Sequence, residues 1–565
     1  MLGLLLSASV ACAAASRPRP IDKDLDLAVE TVLARARGLE LDGRENRVAL
    51  PRNIEVTEPS ASSLSPGADT SAATDPGPQS NLEGTAARDS SDALPVEPQI
   101  YDLERTLEAA FHTNREMISR RESLYLDVLS LMGSRHSYNP QISAMLSTTF
   151  SDSEEGLASY GATFSPSISQ RLTHGGNLSL SGRTSWNARD GFFLEEVGEG
   201  VDARFEAVDS PDEYDLSASF SYSQPLLRGF GYDVSHESLI QAERNLIYAV
   251  RDFELFREDF SINAAQQFYS LVEQKQSVAN QHENIDISDF QLRKAQAMYD
   301  IGRGTQIDLF RAERTELQDR NSLIQAEQDF DLALDRFKIF LGIDIDTPIE
   351  IVDAQPPEIL INYDTDSAVD IARKNRLDYL TRKQRLEDSE RSLRLSRDGL
   401  RSDLNLNAGY SLSGDPDTSL SGASADDEAW SVGLNWDMPL DRVSERHSHR
   451  SAQIGHARAI RDFETFDETL EIEIKSSFRG LARILESIRI QETLIISQEK
   501  NLKKAQIDYE QGGDNREVSD AQRALTSAKN GKIREQVNYE IARLRLLQDL
   551  GILFVDSQGM WKEAK

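Results

Sequence analysis

The segment LRKAQAMY at residues 292–299 returns as LKKAQIDY at residues 502–509, an interval of 210 residues. A nearly equal interval, 209 residues, separates Leu341-Gly342 from Leu550-Gly551. An interval held this closely along the chain does not arise from composition. We therefore interpret the chain as a tandem duplication of one large α+β unit, and its function has to be inferred from that unit.

The duplicated part is preceded by two segments of different composition. Residues 1–15 are short, apolar and rich in small side chains, which is typical of the end of an export signal. Two processing routes stay open: cleavage near Ala13–Ala15, or cleavage before Cys12, which would then carry a lipid. Residues 16–99 are rich in Pro, Ser, Asp and Thr, so we expect a disordered tether. Cys12 is the only cysteine, which excludes an intrachain disulfide.

Each repeat contains two segments in which apolar and polar residues alternate with period two, the pattern of a strand. They are residues 141–150 and 214–223 in the first repeat, and 403–412 and 429–438 in the second. Each is about ten residues long, the length that a tilted strand needs to cross a bilayer. A half-buried sheet in a soluble protein is the alternative.

Very long helices follow the strands in both repeats. The patterns predict helical structure at 235–341 and 441–550, each interrupted once by glycines. Leu239, Ala242 and Leu246 begin a series of apolar residues with three- and four-residue spacing, which favours coiled-coil packing. A helix of some 65 residues is about 100 Å long, too long for a compact domain. The helices therefore form a shaft.

Two strand pairs on long helical hairpins leave open sheet edges, and a membrane sheet must be closed. Several chains would have to pool their strands, so we predict a symmetric homo-oligomer. The expected fold is an α+β membrane protein: two helical hairpins forming an α-barrel tunnel, with four strands per protomer in a shared transmembrane β-barrel. The first repeat also carries an insertion at 159–213, which we interpret as an external loop; an additional hairpin is the alternative.

Other classes of function have little support in the sequence. A net charge of −33 argues against nucleic-acid binding. No nucleophile–base–acid arrangement is evident, so we do not expect an enzyme. Gly175-Gly176 lacks the Lys-Ser/Thr ending of a phosphate loop. His447, His449 and His456 lie on a charged helix start, which favours a solvated surface over a metal site.

The order of these elements resembles the TolC-like outer-membrane efflux protein family over about 100–552. In the first repeat the strands lead into QPLLRG at 224–229 and a long helix, then a Y-x-x-G turn, and the returning helix ends in Leu-Gly. The second repeat follows the same order. The resemblance implies a homotrimer in the outer membrane with a periplasmic helical tunnel and no cofactor. It also implies two partners at the tunnel tip, an inner-membrane transporter and a periplasmic adaptor protein.

The resemblance further implies that the functional positions lie at the two tip turns, where the second repeat is one residue shorter. The candidate gate residues are Tyr299, Asp308, Tyr509, Glu517 and Asp520. For the two tyrosines, a role as packing anchors is the alternative. The glycines that reverse the chain are Gly302, Gly304, Gly512 and Gly513. Around a narrow axis, the carboxylates of Glu517 and Asp520 from three copies would attract cations. The alternative is that both acids only stabilise the first turn of a helix. A basic gate residue found in some members has no counterpart, since Gly513 occupies its position.

The expected function is the exit duct of a tripartite efflux or type I secretion system. A periplasmic adaptor and a non-transporting envelope protein with coiled-coil hairpins are the alternatives. The exported substrate and the class of transporter stay open.

Overall fold

The computed structural model describes residues 98–152, 158–189, 192–197, 204–209, 212–354, 365–414, 426–511, 515–556 and 558–563. The expected signal segment, Cys12, nearly all of the expected tether, and the glycines Gly512 and Gly513 lie outside these residues. Within the described residues, no helix has an apolar window long enough to cross a membrane.

The helices of the two repeats correspond one to one, apart from a short extra turn in the first. The first repeat contains α1 (Leu103–Thr113), α2 (Arg115–His136), α3 (Tyr232–Ser235), α4 (Glu237–Asp300) and α5 (Gln306–Leu341). The second contains α6 (Thr365–Asn375), α7 (Leu377–Asp398), α8 (Val443–Glu510) and α9 (Asn515–Asp549). At 64 and 68 residues, α4 and α8 are each about 100 Å long.

The described strands form one large sheet and three small ones. They are β1 (Gln99–Tyr101), β2 (Gln141–Asp152), β3 (Ala158–Arg171), β4 (Asn177–Arg189), β5 (Phe192–Val197), β6 (Arg204–Asp209), β7 (Glu213–Pro225), β8 (Ile349–Ile351), β9 (Asp403–Ser413), β10 (Asp427–Asp437), β11 (Leu553–Val555) and β12 (Trp561–Glu563). The large sheet has the order β10-β9-β7-β4-β3-β2, and all neighbours are antiparallel. The small sheets pair β5 with β6, β1 with β8, and β11 with β12.

The prediction of four strands per protomer is wrong, because the described sheet has six. The loop interpretation of the insertion is wrong as well: β3 and β4 lie between β2 and β7, and β5 and β6 form a separate hairpin. The hydrophobic alternation of β3 and β4 is weak because small or ring-constrained residues interrupt it. Pro166 and Gly182 lie on the otherwise apolar face, and Gly182 leaves room for the Pro166 ring, which lies 3.5 Å from where a Cβ would be.

The two faces of the six-stranded sheet differ sharply in polarity. The strand register places one continuous apolar row across all six strands: Trp430, Tyr410, Phe220, Leu180, Ile168 and Ile142. The adjacent row on the opposite face consists of five serines: Ser411, Ser219, Ser181, Ser167 and Ser143. We call these the apolar face and the hydroxyl face. Serine side chains pair across strands on the hydroxyl face, as in the 2.7 Å contact between the Oγ atoms of Ser181 and Ser219.

The returning helix of each repeat ends on the break between that repeat's two short helices. Gly342 closes α5 with a φ of 74° and lies against the backbone of Thr113 and Asn114. The Asn114 side chain donates to the Phe340 carbonyl at 2.6 Å. Gly551, with a φ of 66°, occupies the equivalent place against Asn375 and Arg376. The Leu-Gly pair of each repeat therefore contacts the break between the two short helices of the same repeat.

Candidate gate at the helical tips

The first tip turn joins α4 to α5 and positions Asp308. Gly302 adopts a φ of 73°, a left-handed conformation that favours glycine. The amides of Arg303 and Gly304 both donate to the Met298 carbonyl at 2.9 Å, which completes the reversal. Thr305 and Asp308 then form a capping box, in which the Asp308 carboxylate accepts from the Thr305 amide at 3.3 Å. Asp308 thus stabilises the start of α5.

The second tip turn leads into α9, where both candidate gate acids lie on the solvent-exposed side. Glu517 and Asp520 are exposed, whereas Val518 between them is buried. Arg516 lies one helical turn before Asp520, with its Nε 3.5 Å from a carboxylate oxygen of that residue. The burial of Val518 fixes the rotation of α9, and this rotation directs the two carboxylates away from the helix packing.

Side chains from both tips meet at Tyr509. The ammonium group of Lys294 lies 4.4 Å from the centre of the Tyr509 ring, a cation–π contact between the end of α4 and the end of α8. Burial raises the pKa of the Tyr509 phenol, and the negative charge of Asp308 raises it further. Tyr299, the counterpart of Tyr509, is 41% exposed. The structure thus brings Asp308 and Tyr509 near each other, whereas Tyr299 is partly exposed to solvent.

A polar seam between α4 and α9 escaped the sequence analysis. Its buried members on α4 are Asn280, Asn284, Ser288 and Gln291. The Thr526 hydroxyl donates to the Asn284 side chain at 2.9 Å, and the Ser519 hydroxyl donates to the Gln291 side chain at 3.1 Å. The signal was present as polar residues at three- and four-residue spacing. It resembles a solvated face until the packing of α9 is known.

The second repeat's histidines differ from the sequence interpretation. The Nδ1 atoms of His449 and His456 lie 3.0 and 2.9 Å from the hydroxyls of Ser396 and Ser389 on α7. His449 and His456 are therefore half-buried at the α7–α8 contact, which differs from the expected solvated surface, whereas His447 is exposed. Among the described residues, no group of three potential metal ligands occurs.

The comparisons with known proteins agree with this architecture. Residues 368–551, nearly all of the second repeat, match the model of the outer membrane efflux protein family. No curated protein matches the chain.

Several solved outer-membrane channels share the fold. The channel OprN is 16% identical, with a TM-score of 0.57 over 80% of this chain and 89% of its own. VceC of Vibrio cholerae is 14% identical, with a TM-score of 0.57 over 80% and 96%. CmeC of Campylobacter jejuni is 12% identical, with a TM-score of 0.53 over 84% and 94%. At these identities the likeness establishes the fold.

The family match covers the second repeat, and the likeness of fold covers about 80% of the chain. The second repeat therefore carries an outer membrane efflux protein domain, and the chain has the fold of the solved outer-membrane channels.

Proposed function

We propose that this protein is the outer-membrane exit duct of a tripartite efflux or type I secretion system, working as a homotrimer. The observation that carries the proposal is the six-stranded sheet, with one apolar face and one face rich in hydroxyls. Within the part of the chain that the structure describes, neither edge strand is paired on its outer side. An apolar outer face and a polar inner face are what a membrane-embedded barrel requires. Two long helical hairpins continue from the same sheet and form the periplasmic tunnel.

The two edge strands support a shared barrel. On β10, Trp430 is 78% exposed, and on β2, Ile142 is 80% exposed. Among the described strands, nothing pairs with the outer side of either edge, and a bilayer does not tolerate unpaired backbone donors and acceptors. Pairing with neighbouring copies satisfies both edges, and the lipid covers the exposed apolar side chains. A periplasmic adaptor protein and an inner-membrane transporter would engage the opposite end, at the helical tips.

The assembly state tests this proposal directly. We expect the protein to be extracted from outer membranes as a trimer that dissociates on heating, and to conduct ions after reconstitution into planar bilayers. A monomer in the soluble fraction would contradict the barrel. A trimer that never conducts would favour a structural envelope protein. The adaptor alternative has less support, since such proteins carry one helical hairpin between split β-domains.

For the gate, we propose that Glu517 and Asp520 line the narrowest part of the tunnel. Their exposure beside the buried Val518 supports this placement. Removing both charges, in Glu517→Ala with Asp520→Ala, is expected to lower the cation-over-anion permeability ratio by about an order of magnitude, because close carboxylates concentrate cations. The ratio follows from reversal potentials in a salt gradient.

A charge-matched control is available on α8. Glu464→Ala with Glu468→Ala removes two exposed carboxylates about 65 Å along the helix from the tip. We expect this variant to keep the wild-type permeability ratio. Equal ratios in both double variants would show that the selectivity does not arise at the tip.

A further inference from the structure

The hairpin β3–β4 is an insertion into the large sheet. With only the two strands that each repeat has in common, this sheet would have four strands. In the second repeat, β9 pairs directly with β10, and β10 leads through Pro439 to the long helix. Their counterparts in the first repeat are β2 and β7, and β7 leads to the helix through Pro225. Between them lie β3 and β4, each paired along nearly its full length on both sides. The insertion therefore adds two strands to the sheet.

The turn of this hairpin is anchored to the chain that connects the sheet to the shaft. The carbonyl of His174 accepts from the Gln224 side chain at 3.0 Å, and the carbonyl of Thr173 accepts from the Ser235 hydroxyl at 2.9 Å. Gly175 has a φ of 90°, and a Cβ there would lie 2.5 Å from the Gly229 carbonyl oxygen. This close approach explains Gly175-Gly176 as a packing element, and it fixes the hairpin to the shaft end of the sheet.

With the insertion, the edge strands of neighbouring copies can still pair antiparallel and close a barrel. Six strands in strict antiparallel order leave β2 and β10 running in opposite directions. The β10 edge of one copy can thus pair antiparallel with the β2 edge of the next, and the pattern repeats around a ring of any size. The apolar and hydroxyl faces remain on their own sides throughout, as the register across β3 and β4 shows.

We propose that the β3–β4 hairpin widens the outer-membrane lumen and lines it with hydroxyls, so that the duct passes large hydrophilic solutes. This inference rests on the proposed function. Three copies would pool eighteen strands instead of the twelve expected from the sequence. Because barrel diameter grows roughly linearly with strand number, the lumen is about 1.5 times wider. Barrels of 16–18 strands are wide enough to enclose an aqueous channel.

The lining follows from the row of serines. Ser181 on β4 and Ser167 on β3 lie in the centre of that row, and the Oγ atoms of Ser143 and Ser167 are 2.7 Å apart. Neutral hydroxyls can donate to and accept from a polar solute without selecting its charge. The same face also carries an arginine and an aspartate of opposite charge, Arg183 and Asp215, in the neighbouring rows. We therefore expect the wide section of the duct to select solutes chiefly by size.

Cysteine labelling tests whether the hairpin lines the lumen. Ser181→Cys and Leu180→Cys place a thiol on opposite faces of β4 at adjacent positions, and wild-type protein with Cys12 gives the background. In reconstituted vesicles, Ser181→Cys is expected to react with membrane-impermeant thiol reagents at least ten times faster than Leu180→Cys. If the hairpin instead lay outside the membrane, both of its faces would be in water and the two thiols would react at equal rates. Equal rates would therefore overturn the proposal.

Polymer exclusion tests the width. Deleting residues 158–189 lets β2 pair with β7, in the order of the second repeat. In planar bilayers, polyethylene glycols of graded size are added to the compartment opposite the helical tips, so that they enter through the barrel end. The largest polymer that enters the lumen is then determined. We expect its radius to fall by about one third in the deletion variant. A conducting variant with an unchanged limit would overturn the inference and leave the proposed function intact. If the variant does not assemble, the labelling result decides.

Discussion

Gly342→Ala and Gly551→Ala are each expected to lower the free energy of unfolding by about 2–5 kcal/mol. A left-handed conformation costs an alanine about 1–2 kcal/mol, and forcing a methyl group into a packed site costs about 1–3 kcal/mol more. At Gly342 the new Cβ would overlap the Thr113 carbonyl. At Gly551 it would lie 2.7 Å from the Arg376 amide nitrogen. Neither neighbour can move without disturbing the adjoining helix break.

The measurement is thermal and denaturant unfolding of the detergent-solubilised protein, followed by helical circular dichroism. Gly480→Ala is the matched control, since Gly480 lies inside α8 and nothing lies within 4 Å of its missing Cβ. There alanine should stabilise the helix by about 0.5–1 kcal/mol. If Gly342→Ala behaves like Gly480→Ala, the contact between the returning helix and the helix break is looser than the structure shows.

Glu258→Gln is expected to stabilise the protein at alkaline pH. Burial raises the pKa of Glu258 to about 8, and the charges of Glu254 and Asp259 contribute to the same direction. Its Oε2 atom has no hydrogen-bond partner within the described residues. The folded protein thus holds the proton more tightly than the unfolded chain, whose glutamate has a pKa of 4.5. The buried site disfavours the ionised form of the Glu258 carboxyl, which glutamine cannot form.

The sign of the pH dependence follows from this difference. Below pH 4.5 both states are protonated, and the contribution of Glu258 to stability is fully present. It is lost as the pH rises from 4.5 to about 8, and the loss has an upper limit of about 5 kcal/mol. Glutamine carries no charge, so the variant should lose less stability than the wild type between pH 5 and pH 9.

The second repeat supplies the control for this experiment. Glu468 occupies the position equivalent to Glu258, 210 residues further on, and is exposed. Glu468→Gln should leave the difference in unfolding midpoint between pH 5 and pH 9 unchanged. A Glu258→Gln variant with the wild-type pH dependence would show that the Glu258 carboxyl is in contact with water.

Some features of the two repeats could be predicted from the sequence, and others depend on how the helices pack. The repeated segments at 292–299 and 502–509 and the repeated Leu-Gly pairs fall at nearly equal intervals of 210 and 209 residues, so the duplication and the ends of the long helices were predictable. Which of two equivalent glutamates is buried was not predictable, because burial depends on the helices that pack against each copy. The same reasoning applies to the polar seam between α4 and α9, whose residues find their partners more than 200 positions away.

At the candidate gate, too, the local features could be predicted from the sequence and the contacts between helices could not. The glycine turn before α5 and the acids at the start of α9 were located from the sequence, because turns and caps depend on neighbouring residues. The approach of Lys294 to Tyr509 was not, since it joins helices from different repeats. The pairing of Arg516 with Asp520 is local in sequence, but its orientation depends on the burial of Val518.

By itself, the sequence determined the duplication, the long helical hairpins and four of the six strands in the large sheet, and these features resemble an efflux protein family. Those features are periodic or local, so the chain displays them directly. The tertiary structure decided that β3 and β4 belong to the sheet. Their apolar face is interrupted by Pro166 and Gly182, and only pairing with β2 and β7 on either side aligns the row of serines across five of the six strands.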